Sequence, residues 1–235
     1  SKAFPLLYLS SFSELKDNKL LTSGVRKRIE VGVRRIETMQ LASGAFSLWP
    51  NQRREERWLT AYATHFLLEA KRQKYRVSEL VINRAIRWVK RELLNSNHLS
   101  HRSYALYLLA RVGDVDIGTL RYTLDQLQRS GADKIVIAQI GAAFALLGDS
   151  ERSRSAFEMV SKYGSLDKNS SLHWKRIDYG STVRDLAALS YFEQESKLPS
   201  YRGVESAQMA IKSALESGYL STQEKAWLVL MSYRM

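Results

Sequence analysis

Apolar residues recur at intervals of three and four along most of this 235-residue chain, and few residues interrupt the spacing. Val25, Ile29, Val33 and Ile36 form one such stripe, which is the face that an amphipathic helix buries. The chain has only three prolines and twelve glycines, so the breaks between helices are few. We therefore predict an all-α protein.

The spacing predicts about eleven helices joined mostly by short loops, as in repeated antiparallel helical hairpins. One helix lies at the N-terminus, and Ser78 is the predicted N-cap of a helix that carries Ile82, Ile86 and Val89. The helices of the second half are predicted at residues 101–112, 116–129, 133–147, 150–163, 180–195, 202–217 and 221–234. A chain of this length can bury one large core, so we predict a single domain over residues 1–235.

Two long connections bear on whether the hairpins form an open array or a closed ring. Residues 41–56 are broken by a glycine and a proline, yet they contain Phe46, Leu48 and Trp49, which are too apolar for a free loop. Residues 164–181 are polar and long for a linker between repeats. Such irregular loops fit the ends of a closed α/α toroid better than an array of identical repeats.

Two short segments resemble known helical architectures. Residues 142–162, AAFALLGDSERSRSAFEMVSK, resemble the helix junction of a tetratricopeptide repeat, but the pattern occurs once and not at a period of about 34 residues. Residues 40–46, QLASGAF, resemble the turn motif of triterpene cyclases, which are α/α toroids, through the Q-x-x-x-G-x-F spacing of Gln40, Gly44 and Phe46. The toroid is the favoured fold, and an open tetratricopeptide-like array that binds peptide is the alternative.

The formal net charge is +12, and its excess lies in the first half of the chain. Basic runs attract nucleic acid or acidic lipid headgroups. Glutamates interleave with these runs at near-helical spacing, however, which is typical of solvated helix faces with neighbouring ion pairs. We predict no nucleic-acid binding, because no ribonucleoprotein-type motif or zinc finger accompanies the charge.

Several kinds of chemistry are excluded within these residues. Cysteine is absent, which rules out disulfides, thiolate metal sites and a cysteine nucleophile here. No apolar run approaches the about 18 residues that span a bilayer, so we predict no direct membrane insertion by this segment. The enzymes built on α/α toroids need clustered aspartates or an Asp, Cys and His zinc site, and neither pattern occurs. We predict no metal and no cofactor.

One acidic pair remains as a possible glycosidase couple, Asp178 with Asp185. Asp185 follows Arg184 directly, and we predict that it pairs with that arginine or with a helix end. The carboxylates otherwise follow ordinary surface spacing, which does not favour a hydrolase.

Five segments stand out, in chain order SGAFSLWP, ERWLTAYATHFLLEA at 56–70, RSYALYLLARVGD, DYGSTVRDLAAL and LSTQEKAWLVL at 220–230. In this order they resemble the thioester-containing domain of bacterial alpha-2-macroglobulins, which are covalent protease traps related to complement proteins. The opening SKAFPLLYLSS also resembles the helix that follows the family's CxEQ thioester motif.

The resemblance implies a toroid of about six helical hairpins. It also implies that the chain is no enzyme but a domain of a broad-range endopeptidase inhibitor. In the family, cleavage of a bait segment exposes a thioester between cysteine and glutamine, and a lysine amine of the protease attacks it. The motif would lie upstream of Ser1, outside these residues.

The resemblance also implies candidate residues near the thioester. Phe4 and Tyr8 are candidates to pack behind the bond, although simple core filling at positions four apart is the favoured interpretation. His98 and His101 lie close to the place where some complement relatives carry a histidine that directs acyl transfer, although an exposed loop residue or a helix cap is the favoured interpretation of both. His65 is interpreted as a packed or surface helix residue.

By resemblance, the parent is a periplasmic lipoprotein tethered to the inner membrane that works beside cell-wall synthesis proteins and guards bacteria against foreign proteases. The implied partners are the target proteases and the other domains of the parent.

Overall fold

A computed structural model describes residues 3–9, 19–50, 52–130, 132–163, 180–198 and 202–234. The contacts within the chain divide it into two compact units, which consist of residues 1–97 and 98–235. Over the described ranges the structure contains eleven α-helices, one π-helical turn and no β-strand. The all-α prediction is therefore confirmed, while the single domain over residues 1–235 stays a prediction.

The described residues of the first unit form four helices and the π-helical turn. They are α1 (Ala3–Leu9), α2 (Lys19–Glu37), α3 (Arg57–Arg72), α4 (Glu79–Trp88) and the π-helical turn Val89–Leu93, which continues α4. Helix α3 is the centre of the unit, because α1, α2 and α4 all pack against it. Its residues from Thr60 to Leu67 are all buried, as expected for a central helix that contacts neighbours on several sides.

Ser78 lies directly before α4, as predicted, but its side chain makes no capping hydrogen bond. Its backbone N–H instead donates to Glu37 Oε1 at 2.8 Å. Ser78 therefore has the predicted position, but its backbone makes the contact in place of its side chain. This bond joins the start of α4 to the end of α2.

Where the structure describes the second unit, it contains seven helices in two layers. They are α5 (Leu99–Arg111), α6 (Ile117–Ser130), α7 (Lys134–Leu146), α8 (Ser150–Tyr163), α9 (Thr182–Glu195), α10 (Arg202–Glu216) and α11 (Thr222–Arg234). Helices α5, α7, α9 and α11 pack against one another in sequence, and α8 and α10 cover α7 and α9. The layer of α5, α7 and α9 is buried almost all round because it has neighbours on both sides.

The helices predicted for this unit begin and end within two residues of those observed. The predicted polar connection at 164–181 lies largely outside the described residues, and Asp178 lies wholly outside them. Within the described chain, none of the helices combines the length and the apolar character needed to cross a bilayer.

The string LSTQEKAWLVL forms the start of α11, and a capping box begins that helix. Ser221 Oγ accepts from the backbone N–H of Glu224 at 3.2 Å, and the Ser221 N–H donates to Glu224 Oε2 at 2.6 Å. Ser181, the N-cap of α9, donates to the other oxygen of Glu224 at 2.6 Å. One carboxylate therefore joins the starts of α9 and α11.

A buried three-residue network joins α5 to α9 in the core of the second unit. Arg111 Nη1 lies 2.7 Å from Glu195 Oε1, and both side chains are buried. The Tyr107 hydroxyl donates to Glu195 Oε2 and accepts from Arg111 Nη1 at 2.7 Å. The Tyr107 ring also meets Phe192 edge to face at 4.9 Å between centroids. Burial, together with the negative charge of Glu195, raises the pKa of Tyr107 well above its ordinary value.

This raised pKa predicts a loss of stability in alkali. The folded protein keeps the Tyr107 proton at a pH where the unfolded chain releases it, so this contribution is complete below about pH 10 and declines above it. We expect the free energy of unfolding, measured with urea, to fall as pH rises from about 9.5 to about 11. The variant Tyr107→Phe should show a shallower fall over that range. An equal slope in both proteins would contradict the assignment to Tyr107.

Candidate functional site

Phe4 and Tyr8 of α1, which the sequence analysis named as candidates near the thioester, are both buried against α3. The ring centroid of Phe4 lies 5.2 Å from that of Tyr62, 5.1 Å from that of His65 and 5.7 Å from that of Phe66. Such separations, with tilted or edge-on rings, are those that aromatic pairs prefer. The Phe4 side chain is 1% exposed, so the first turn of α1 is fixed to the middle of α3.

Tyr8 contributes a polar contact that core filling alone does not require. Its hydroxyl donates to Glu69 Oε2 at 2.7 Å, and both residues are fully buried. Arg72 Nη2 donates to the same oxygen at 2.8 Å, so the buried carboxylate is paired with a cation one helical turn away. A charge-assisted bond of this kind fixes the position of α1 along α3 as well as its distance.

His65 is fully buried on α3, and its ring meets the edge of Phe4. The structure therefore supports the packed interpretation of this histidine over the surface one. It lies directly beneath α1, the helix that the family resemblance places after the thioester.

The turn at residues 40–46 is built by the three residues that the cyclase-like spacing singled out. Gln40 Nε2 donates to the carbonyls of Gly44 at 3.2 Å and of Val81 at 2.9 Å, and Gln40 pairs with Phe46 in an antiparallel bridge. The N–H of Phe46 donates to Thr60 Oγ1 at 2.9 Å. The turn is thus bound to both α3 and α4.

The three apolar side chains of this connection behave differently from one another. Phe46 is 1% exposed, as predicted, but Leu48 and Trp49 are 46% and 61% exposed. The expectation that all three are too apolar for solvent was wrong for these two, because hydrogen bonds of Ser47 to the Met39 and Trp49 carbonyls hold the loop without burying them.

His98 and His101 lie at the start of α5 in the second unit. His98 is the exposed N-cap residue, and its carbonyl accepts from the N–H groups of His101 and Arg102, each at 3.1 Å. The two imidazole rings meet edge to face with centroids 5.5 Å apart. His101 lies inside the helix and is 6% exposed, so it is no loop residue; the helix begins two residues earlier than the sequence predicted.

The acidic residues give little support to a hydrolytic or metal site. Asp185 Oδ1 lies 2.8 Å from Arg184 Nε, which confirms the predicted pairing. In the ranges that the structure describes, no group of three or more His, Asp or Glu side chains is arranged to hold a metal ion.

Sequence reasoning did not identify Glu69 and Glu195 as buried carboxylates. Glu69 interrupts the apolar run FLLEA of α3, and a charged residue in such a run is a signal that it has a partner. Glu195 carries no comparable signal, because it lies at the polar end of α9.

The comparisons with known proteins agree with this architecture. A family model described as the A-macroglobulin TED domain matches residues 2–106. The alpha-2-macroglobulin of Escherichia coli is 30% identical over 98% of the chain, and that of Xylella fastidiosa is 30% identical over 86%. The chain spans only 15% and 13% of the lengths of these relatives.

Solved structures show the same likeness. Salmonella alpha-2-macroglobulin reacted with methylamine is 28% identical and superposes with a TM-score of 0.84, covering 99% of this chain and 16% of that one. A native Escherichia coli alpha-2-macroglobulin fragment gives the same identity and score over 99% of this chain and 38% of its own. These likenesses support the α/α toroid over the open tetratricopeptide array. The chain is therefore identified, along nearly its whole length, as a homologue of the thioester-containing domain of the bacterial alpha-2-macroglobulins.

Proposed function

We propose that this chain is the thioester-domain scaffold of a bacterial alpha-2-macroglobulin, a broad-range inhibitor that traps endopeptidases and links them covalently. The observation that carries this function is the superposition of 99% of the chain on an alpha-2-macroglobulin reacted with methylamine, a small amine. Other relatives with the same fold have been solved after activation by trypsin and by porcine elastase.

The covalent step requires residues outside this sequence, because the chain has no cysteine. In the proposed reaction, the lysine amine of a protease attacks the acyl carbon that the parent's glutamine contributes to the thioester. An amide bond forms, the carbon–sulfur bond breaks, and the cysteine leaves as a thiolate that takes up a proton. Water must be kept away until the protease triggers the change, since an exposed thioester hydrolyses.

The contribution of this chain is to hold α1 in place behind that bond. Phe4 packs against α3 and Tyr8 bonds to a buried carboxylate, so the position of α1 is determined by both packing and hydrogen bonding. A helix fixed in this way provides a rigid support for the residues that precede it.

A protease-trapping assay tests this function. The parent protein is incubated with trypsin and then denatured in detergent. We expect a band that contains both proteins and survives boiling, and we expect pretreatment with methylamine to abolish it because the amine consumes the thioester. Cleavage of the parent without such a band would contradict covalent trapping.

The two histidines of α5 offer a prediction about the choice of nucleophile. If His101 directs acyl transfer, His101→Ala in the parent should lower hydroxyl reactivity relative to amine reactivity by about a hundredfold or more, the size of a typical general-base effect. The ratio is measured with radiolabelled glycerol and methylamine. The exposed His98 is the matched control, and unchanged ratios in both variants would remove the histidines from the mechanism.

The proposed setting of the parent follows the family resemblance. We place it in the periplasm, tethered to the inner membrane, in contact with cell-wall synthesis proteins and active in defence against foreign proteases. Fractionation of cells that express the tagged parent tests the location. Recovery in the cytoplasmic fraction would contradict it.

A further inference from the structure

A loop of the first unit presents two large apolar side chains, Leu48 and Trp49, to solvent at its tip, which consists of residues 47–50. Ser47 Oγ lies 2.9 Å from the carbonyl of Trp49 and 3.3 Å from that of Met39. The buried Phe46 bonds to α3 on one side of the tip, and the N–H of Glu56 donates to the Phe46 carbonyl on the other. Leu48 and Trp49 are therefore exposed by a structured backbone, and an exposed apolar pair held in this way marks an interaction surface.

Helix α4 lies beside this loop. Gln40 of the turn bonds to the Val81 carbonyl, and Trp88 Nε1 donates to Glu55 Oε2 at 3.1 Å. Contacts at both ends of the loop thus place the tip alongside α4. The exposed side of α4 and of the π-helical turn that continues it carries a stripe of one leucine and three arginines, namely Leu80, Arg84, Arg87 and Arg91.

The surroundings of this loop are strongly basic. Residues 1–97 contain 19 Lys and Arg against 9 Asp and Glu, a net charge of +10, whereas residues 98–235 contain 17 against 15, a net charge of +2. Arg53, Arg84 and Arg87 are all exposed, and in the described part of the chain none of them lies in an ion pair. Their charge is available to an anionic partner.

We propose that this surface, defined by Leu48, Trp49, Arg53, Arg84 and Arg87, binds an anionic phospholipid bilayer at the level of its headgroups. Arginine binds phosphate through paired N–H groups, and tryptophan prefers the boundary between headgroups and acyl chains. The phosphates of a nucleic acid would also pair with the arginines, but they would leave Leu48 exposed to water. The exposed leucine therefore favours a lipid bilayer as the partner. No described helix can cross a bilayer, so the contact is peripheral.

Co-sedimentation with vesicles tests the surface on the 235-residue chain. We expect binding to phosphatidylcholine vesicles that contain about one third phosphatidylglycerol, little binding to phosphatidylcholine alone, and weakening as salt is raised. The triple variant Arg53→Gln, Arg84→Gln, Arg87→Gln should bind about a hundredfold more weakly, at about fivefold for each charge. Trp49→Ser, which leaves the charge unchanged, should lose about tenfold.

A matched control removes the same charge from the second unit. Arg129, Arg154 and Lys212 are exposed there, and their glutamine variant should lose less than about threefold. Equal losses in the two triple variants would show that net charge alone drives adsorption and would overturn the surface. So would equal binding to neutral vesicles, or tight binding to a DNA duplex that Trp49→Ser leaves unchanged.

Discussion

Replacing Phe4 by alanine should destabilise the first unit by about 3 to 5 kcal/mol, the usual cost of deleting a buried aromatic ring. Phe4 is 1% exposed, and its ring contacts the rings of Tyr62, His65 and Phe66. Because these neighbours are already packed, they have little freedom to move into the cavity that the substitution leaves. Urea unfolding followed by circular dichroism measures the change.

Tyr122 is the control for that substitution. It is 60% exposed on α6, so Tyr122→Ala removes an aromatic ring of similar size from a surface position and should change stability by less than about 0.5 kcal/mol. A loss below about 1 kcal/mol for Phe4→Ala would show that α1 is not held by this ring.

Replacing Gly44 by alanine should cost about 3 to 5 kcal/mol for two separate reasons. The residue has φ +100°, a conformation that side chains rarely adopt, and a Cβ atom there would overlap the carbonyl oxygen of Arg84. That oxygen belongs to the backbone of α4, so it moves only if the helix moves. Urea unfolding again measures the loss.

Two other glycines separate the two causes. Gly113 has φ +71° with open space around it, so Gly113→Ala should cost only about 1 to 2 kcal/mol of backbone strain. Gly24 lies within α2 with open space, so Gly24→Ala should stabilise by about 0.5 to 1 kcal/mol. If Gly44→Ala costs no more than Gly113→Ala, the close approach to α4 is refuted.

The helices were predictable because apolar spacing is local information. Helices α6 to α11 begin and end within two residues of their predicted positions, and the spacing of Gln40, Gly44 and Phe46 identified a real turn. The pairing of Asp185 with Arg184 was also predictable, since the two are adjacent in sequence.

The buried polar contacts were not predictable, because their partners lie far apart in the chain. Tyr8 and Glu69 are 61 residues apart, and Tyr107 and Glu195 are 88 apart. Spacing along a helix identifies which face is buried but not which side chain of another helix it meets. Trp49 was mispredicted for a related reason: its apolar character indicated burial, whereas its loop is bonded so that it stays exposed.

The support of the thioester by α1 is tested most directly by methylamine uptake in the parent protein. Mass spectrometry of the native parent should show the gain of one methylamine together with one newly titratable thiol. In the Phe4→Ala parent, the thiol should already be free before methylamine is added, because a loosened α1 lets water hydrolyse the bond. A parent that takes up no methylamine, or a Phe4→Ala variant whose thioester is as long-lived as the native one, would contradict the account.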